Sequence, residues 1–257
     1  MTAAKRALVT GGSRGIGRAI ALELARAGAH VLVAARGVDS CRAVVAEIEA
    51  AGGSAEAVAL DVADPGIPER IAAHPIDWLI NNAGIAQSAP LSRTDEALVR
   101  KHLEVNFHGA WRLAEACLPG MRKRGYGRVV NVASSAGLRG YAYVSAYCAS
   151  KFALVGWTLA AADELRDSGV TVNAVCPHYV DSPMLEAAVE TIVASTEQDE
   201  DQARAFLAAQ NPGGALVSCE DVAAEVRTLV EGSATATLVE LDGGRVRSVS
   251  PNDPNPS

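Results

Sequence analysis

The stretch Thr10-Gly-Gly-Ser-Arg-Gly-Ile-Gly17 decides the fold. It follows a short apolar run, Ala7-Leu-Val-Thr10, and opens a segment of helical periodicity, Gly15–Ala27. Glycines 11, 15 and 17 permit a tight turn and let the backbone approach a pyrophosphate closely. The free N–H groups and the dipole at a helix start favour negative charge at that point. The spacing is GxxxGxG rather than the general GxGxxG. Alone, such a run is equally a plain tight turn; its place between a first strand and a first helix gives it weight.

Outward from this loop, apolar β-branched runs alternate with helical patterns. Expected strands are Ala7–Thr10, His30–Ala35, Ala55–Leu60, Trp78–Asn81, Arg128–Ala133, Thr171–Cys176 and Thr237–Leu241. Segments such as Gly15–Ala27, Asp39–Ala50 and Ser145–Ser168 have helical periodicity. Continuously apolar strands separated by helices imply a parallel sheet covered on both faces. The expectation is one α/β domain, 1–247, a Rossmann-type doubly wound sheet of seven parallel strands. Met184–Ala209, after the sixth strand, reads as an inserted helical lid over the substrate. The tail 248–257, rich in Pro, Ser and Asn, reads as disordered.

The 257 residues suffice for a large core, and 49% apolar with 21% charged residues is a globular composition. The net charge of −7 argues against a chain built to hold nucleic acid. No apolar run approaches the roughly 18 residues that cross a bilayer, and no signal peptide is expected. Cys41, Cys117, Cys148, Cys176 and Cys219 are scattered and odd in number, so neither a disulfide framework nor a zinc site is indicated. His30, His74, His102, His108 and His178 form no metal-ligand spacing, and no metal is expected. A reduced, cytoplasmic chain is the simplest reading.

The run Thr10–Gly17 resembles the TGxxxGxG loop of short-chain dehydrogenases/reductases. Asn81-Asn-Ala-Gly84 resembles that family's NNAG motif, and Tyr147-Cys-Ala-Ser-Lys151 its YxxxK motif. Asn173-Ala-Val-Cys-Pro177 and Leu241-Asp-Gly-Gly244 match later landmarks, so the likeness spans about residues 5 to 245. The resemblance implies a nicotinamide dinucleotide bound by Gly11, Ser13, Arg14, Gly15, Ile16, Gly17, Arg36, Asp61, Val62, Asn82, Ala83, Gly84, Tyr147, Lys151, Pro177, Val180 and Ser182. Asp61 would bond the adenine amino group, and Asn82 to Gly84 would line the ribose.

Sites that take NAD usually carry a carboxylate at the end of the second strand. Here His30-Val-Leu-Val-Ala-Ala35 ends without one, and Arg36 follows. An arginine grips a 2′-phosphate with two charge-assisted hydrogen bonds, where a carboxylate would repel it. Arg14 could approach from the other side. NADP(H) is therefore expected over NAD(H), which remains possible; the alternative is that both arginines are solvated surface charges.

Hydride transfer to a carbonyl requires a proton for the new alkoxide. A lysine four residues after a tyrosine shares its helix face, and its charge favours tyrosinate. By the resemblance, Tyr147 is the proton carrier and Lys151 its partner. Ser134, thirteen residues earlier, resembles the serine that bonds the substrate oxygen; Ser135 is its neighbour, and family spacing favours Ser134. Asn106 resembles the helix asparagine that holds a water in a proton relay; otherwise it is a satisfied buried amide. His102 and His108 read as structural or surface histidines.

Four departures from the family stand out. Asp61 to Asn81 is short, so the helix around Pro65–Ala73 should be stunted. Pro177-His178 stands where Pro-Gly is common, so His178 could clash, tune the pocket or meet the substrate. Ser182 replaces a usual threonine, keeping a hydroxyl for the carboxamide. Ser233–Leu241 is compressed.

The likeness is strongest to bacterial 3-oxoacyl-thioester and polyketide ketoreductases. It implies reduction of a ketone to a secondary alcohol, on a small-molecule carbonyl carried as a CoA or acyl-carrier thioester. The alternatives are an NAD-linked secondary alcohol or 3-hydroxyacyl dehydrogenase working oxidatively, and a non-catalytic NADP-binding subunit. The variable substrate wall should be Ala86–Ser92, Leu138–Val144 and His178–Ala209, with Leu138, Tyr141 and Tyr143 as candidate contacts. A homo-tetramer is implied, through helices at Asp95–Met121 and Ser145–Ser168.

Overall fold

A computed structural model describes residues 4–72 and 74–249. Its elements alternate along the chain: β1 (Arg6–Thr10), α1 (Gly15–Arg26), β2 (His30–Ala35), α2 (Val38–Ala50), β3 (Ser54–Ala59), α3 (Ile67–Ala72) and β4 (Trp78–Asn81). The second half holds α4 (Glu96–Leu103), a π turn (Glu104–His108), α5 (Gly109–Arg124), β5 (Gly127–Val132), α6 (Ser145–Glu164) and β6 (Val170–Pro177). Then follow α7 (Pro183–Ser195), α8 (Glu200–Ala209), α9 (Cys219–Glu231), β7 (Leu238–Leu241) and β8 (Val246–Val249).

One sheet runs β3-β2-β1-β4-β5-β6-β7-β8. The first seven strands in chain order are parallel, as expected, and β8 pairs antiparallel with β7. The expected seven-stranded sheet is thus corrected to eight among the described residues. The turn that adds β8 is Asp242-Gly-Gly-Arg245: Gly243 has φ +85°, and Asp242 Oδ1 accepts from the amides of Gly244 (3.1 Å) and Arg245 (2.7 Å). Ser248 and Val249, expected in a disordered tail, are strand residues. The rest of that tail, 250–257, lies outside the described residues.

Alternate strand residues serve opposite cores, the period-two rule of a pleated strand. Val9, Val33, Ile80 and Val132 pack with α1, α2 and α9. Leu8, Leu32, Leu79 and Val129 pack with α3, α5 and the end of α6. Strands buried on both faces must be apolar throughout, hence their continuous runs. Helix α3 has six residues, so the stunting expected around Pro65–Ala73 is present. The segment 184–209 forms two helices, α7 and α8, clasped by Arg204 of α8 to Asp181 (2.8 Å) and Glu186. The helix expected over Asp95–Met121 is interrupted by the π turn, a wider turn often found at functional positions.

The strand order reverses between β1 and β4. In open α/β sheets this switch point, at the carboxyl ends of the strands, is where ligands bind.

Candidate active site

The loop after β1 is pinned by the loop after β4. Thr10 Oγ1 accepts from the amides of Asn82 (3.0 Å) and Ala83 (3.0 Å) and donates to Ile80 O (3.3 Å). Asn82 Nδ2 donates to Thr10 O (2.8 Å) and Gly11 O (3.3 Å). Little room is left for side chains. A Cβ on Gly17 would overlap the Gly11 carbonyl oxygen and lie 2.5 Å from Asn82 Nδ2. Gly11 and Gly15 have φ +63° and +53°, a region L side chains rarely adopt. A Cβ on Gly15 would lie 3.1 Å from Pro183 Cδ and 3.7 Å from Ser182 Cβ. The start of α7, with Ser182 before it, therefore lies against the glycine loop.

Arg14 caps α1 with no side-chain bond to its first-turn amides. Those amides and the positive helix end face the loop. Arg14 and Arg36 are exposed, and neither guanidinium is engaged by another side chain among the described residues. Asp61 is exposed after β3, accepting from Ala63 N (3.0 Å), and Val62 is buried beside Gly109. Ser13 and Ile16 lie half-buried in the loop, and Val180 forms a bridge with Val217. The expected residues from β1, β2, β3, β4 and β6 thus gather at the carboxyl edge of the sheet. The tight glycine cradle, the uncapped helix start and the two unengaged cations suit an anionic dinucleotide.

Beside this cradle stand Ser134, Tyr147 and Lys151. Ser134 follows β5; its Oγ accepts from Ala136 N (3.1 Å), lies 3.5 Å from Pro177 O, and is close enough to the Tyr147 hydroxyl to favour its ionised form. Ser135 instead accepts from Tyr141 OH (3.0 Å). Lys151 is 4% exposed and donates to Val132 O (2.8 Å). Its Nζ lies 5.7 Å from the Tyr147 ring centroid. Burial pulls the lysine pKa down to about 8. Burial also pushes the Tyr147 hydroxyl up to about 12, against the lowering effect of Ser134. Desolvation thus outweighs any lowering of the tyrosine pKa by the lysine charge in the ligand-free chain, where Lys151 is directed to a carbonyl.

Asn106 sits in the π turn and is 2% exposed. Its Oδ1 accepts from Ile85 N (2.8 Å), while Nδ2 donates to Ile85 O (3.0 Å) and Ser150 Oγ (2.9 Å). Ser150 Oγ in turn donates to Tyr147 O (2.7 Å), tying Asn106 to the helix of Tyr147 and Lys151. Among the described residues, no group of His, Cys, Asp and Glu is arranged to hold a metal ion.

His178 is turned toward β7. Its ring is buried, and Nε2 lies 2.8 Å from Glu240 Oε1 on β7. Glu240, 4% exposed, is also paired with Arg139 from the loop after β5 and with Arg247 on β8 (3.6 Å). Sequence reasoning missed Glu240 and Arg139, because no motif marks an ion pair 101 residues apart. It also missed Asn211, 2% exposed, which bonds Tyr179 N (2.9 Å), Tyr179 O (2.9 Å) and Ala215 O (2.7 Å) and so shapes the return from α8. The turn residues Asn211-Pro-Gly-Gly214 were its only signal.

The family description "short chain dehydrogenase" matches residues 5–192. The chain belongs to that family. It is an oxidoreductase acting between CH–OH and C=O groups. The 3-oxoacyl-acyl-carrier-protein reductase of Escherichia coli K12 is 32% identical over 249 residues, 93% of this chain and 96% of that protein. A D-beta-hydroxybutyrate dehydrogenase of Rhizobium meliloti is 33% identical over 259 residues, 93% of this chain and 98% of that protein. A variant of actinorhodin polyketide ketoreductase, solved with NADPH, superposes with a TM-score of 0.89 at 33% identity, covering 95% of this chain and 98% of that one. Among the described residues, no helix of this short-chain dehydrogenase is long and apolar enough to cross a membrane.

Proposed function

We propose that the chain reduces a ketone to a secondary alcohol with NADP(H), and that its leading substrate class is a 3-oxoacyl thioester carried on CoA or an acyl carrier. The observation that carries this reading is the hydroxyl pair of Ser134 and Tyr147 beside buried Lys151, at the sheet's switch point next to an unengaged Arg14 and Arg36.

When bound, the nicotinamide supplies the hydride. The chain's own residues manage charge and protons. Ser134 donates a hydrogen bond to the substrate oxygen. Tyr147, protonated at neutral pH with its hydroxyl at about 12, gives its proton to the forming alkoxide. Lys151 holds a positive charge beside the tyrosine and favours the tyrosinate that remains. Asn106 fixes Ile85 and, through Ser150, the first turns of α6. Arg36 and Arg14 would hold a 2′-phosphate, and Asp61 and Val62 the adenine. Asn82, Ala83 and Gly84 would line the ribose, and Pro177, Val180 and Ser182 would hold the nicotinamide. The pair α7–α8 acts as the lid.

The five free cysteines accord with a reduced, cytoplasmic setting. Trp111 on α5 and Phe152 on α6, 37% and 46% exposed, accord with a tetramer formed through these helices.

The deciding experiment titrates wild type and Arg36→Ala with NADPH and NADH, then measures turnover on a 3-oxoacyl thioester. Wild type should favour NADPH, Arg36→Ala should lose roughly tenfold of that preference, about one charge-assisted bond, and the thioester should be reduced. Equal or tighter NADH binding would turn the reading to an NAD-linked dehydrogenase acting oxidatively. Binding without turnover on any ketone or alcohol would leave a non-catalytic NADP-binding subunit.

A further inference from the structure

His102 lies on the inner face of α4 with 0% exposure, beside the reacting tyrosine. Its ring meets that of Tyr147 edge-on, with centroids 6.4 Å apart and planes at 75°. Both ring nitrogens are used. Nδ1 is 2.9 Å from Leu98 O, which can only accept; Nε2 is 3.1 Å from Gln87 N, which can only donate. These two partners define one form of the ring: neutral, with the proton on Nδ1.

Gln87 belongs to the segment after β4 that has no regular secondary structure from 82 to 90. Such a segment makes no ladder of its own, so its placement rests on side chains. Asn106 takes the amide and the carbonyl of Ile85, and His102, one turn earlier, takes the amide of Gln87. Further on, Ala89 N donates to Tyr143 O (2.7 Å), joining this wall to the loop before α6.

We propose that His102 is a positioning residue: its neutral imidazole fixes the Gln87 amide and so sets the wall 85–89 against the Tyr147 ring. The assignment rests on the carbonyl-reducing reading for its kinetic consequence, but not for its structural one. An aliphatic residue would fill the space yet leave the Gln87 amide without an acceptor. A glutamine would offer an oxygen near the position of Nε2.

Two measurements on the whole protein test this. In hydrogen exchange of the ligand-free chain, the Gln87 amide should be protected in wild type and His102→Gln. In His102→Leu it should exchange at least about tenfold faster, the scale of one lost hydrogen bond. In steady-state reduction, His102→Leu should raise KM for the ketone about tenfold, leave kcat within about threefold and NADPH affinity within about twofold, and His102→Gln should restore KM. A merely structural histidine would give equal losses in Leu and Gln, or a fall in kcat and cofactor affinity together; either result overturns the proposal. Equal exchange at Gln87 in all three proteins also overturns it, whatever the substrate proves to be. If His102→Leu does not fold, His102→Met carries the same expectations. If no ketone is turned over, the function reading fails and the exchange measurement still decides for or against His102.

Discussion

Strands β1–β4 and strands β5–β7 present their carboxyl ends to the same edge of the sheet, but they build it by different means. The first half works through backbone. Glycines 11, 15 and 17 bring main chain against main chain, Thr10 and Asn82 lock the turn, and exposed arginines wait at its rim. The second half works through side chains drawn out of water. Lys151, Glu240, His178 and Asn106 are nearly or wholly buried, each tied to a partner far along the chain. A site for a common cofactor is met by shape and helix-end charge. Chemistry draws on groups such as Lys151, whose proton affinity burial lowers.

The largest effect that would break this contrast is expected in the second half. Tyr147→Phe removes the proton carrier and leaves the ring packing; kcat should fall about 10²–10⁴-fold, the usual contribution of a positioned acid. Cofactor affinity by calorimetric titration should stay within about twofold. A loss below tenfold would mean that the proton takes another route.

Next comes the buried lysine. Its folded pKa of about 8 lies below the ordinary value of 10.5, so between those values the unfolded chain binds more protons than the folded one. Stability contributed by this group therefore rises with pH across that window. From below pH 8 to about pH 10, wild type should gain roughly 2–3 kcal/mol relative to Lys151→Met in urea unfolding. The opposing effect of Tyr147, raised from 10.0 to about 12, sets in only above that range. A flat difference would mean that Lys151 is solvated and that the two halves do not differ in this way.

The first half should respond to bulk rather than to charge. Gly17→Ala places a methyl against the Gly11 carbonyl and Asn82, and overpacking of this kind costs about 1–3 kcal/mol. NADPH should bind roughly tenfold to a hundredfold more weakly, while the protonation behaviour of Lys151 stays as in wild type. Unchanged affinity would show that the turn has slack and would erase the contrast from its other side.

The same contrast explains what could be read in advance. The bounds of β2 and β4 equal those expected from the sequence, and the other parallel strands differ by a residue or so at their ends. Strands buried on both faces must be written as apolar runs, and a turn that admits only glycine must be written with glycine. β8 escaped because it is short, partly exposed and polar in alternation, although Asp242-Gly-Gly-Arg245 carries a hairpin signal. Tyr147, Lys151 and Ser134 could be nominated from the sequence because their spacing is local or nearly so and resembles the family's. The partners of His178 and His102 were not. Glu240 lies 62 residues from His178, and the Gln87 amide that fixes the tautomer of His102 carries no side-chain mark at all. Two histidines with unremarkable neighbours in sequence differ from surface histidines only once the chain has folded.

The hairpin that ends the sheet also bears on how molecules of this protein meet in a crowded solution. An unprotected outer strand offers a row of amides and carbonyls on which another chain can continue the sheet. Here the outermost strand is four residues long and carries Arg247, whose guanidinium is held inward toward Glu240 and Asp242 at 3.6 Å. At the opposite margin, β3 carries exposed Glu56. A chain laying itself along either margin would have to strip water from a charge for only a few backbone bonds, so growth into fibrils is discouraged at both ends of the same sheet.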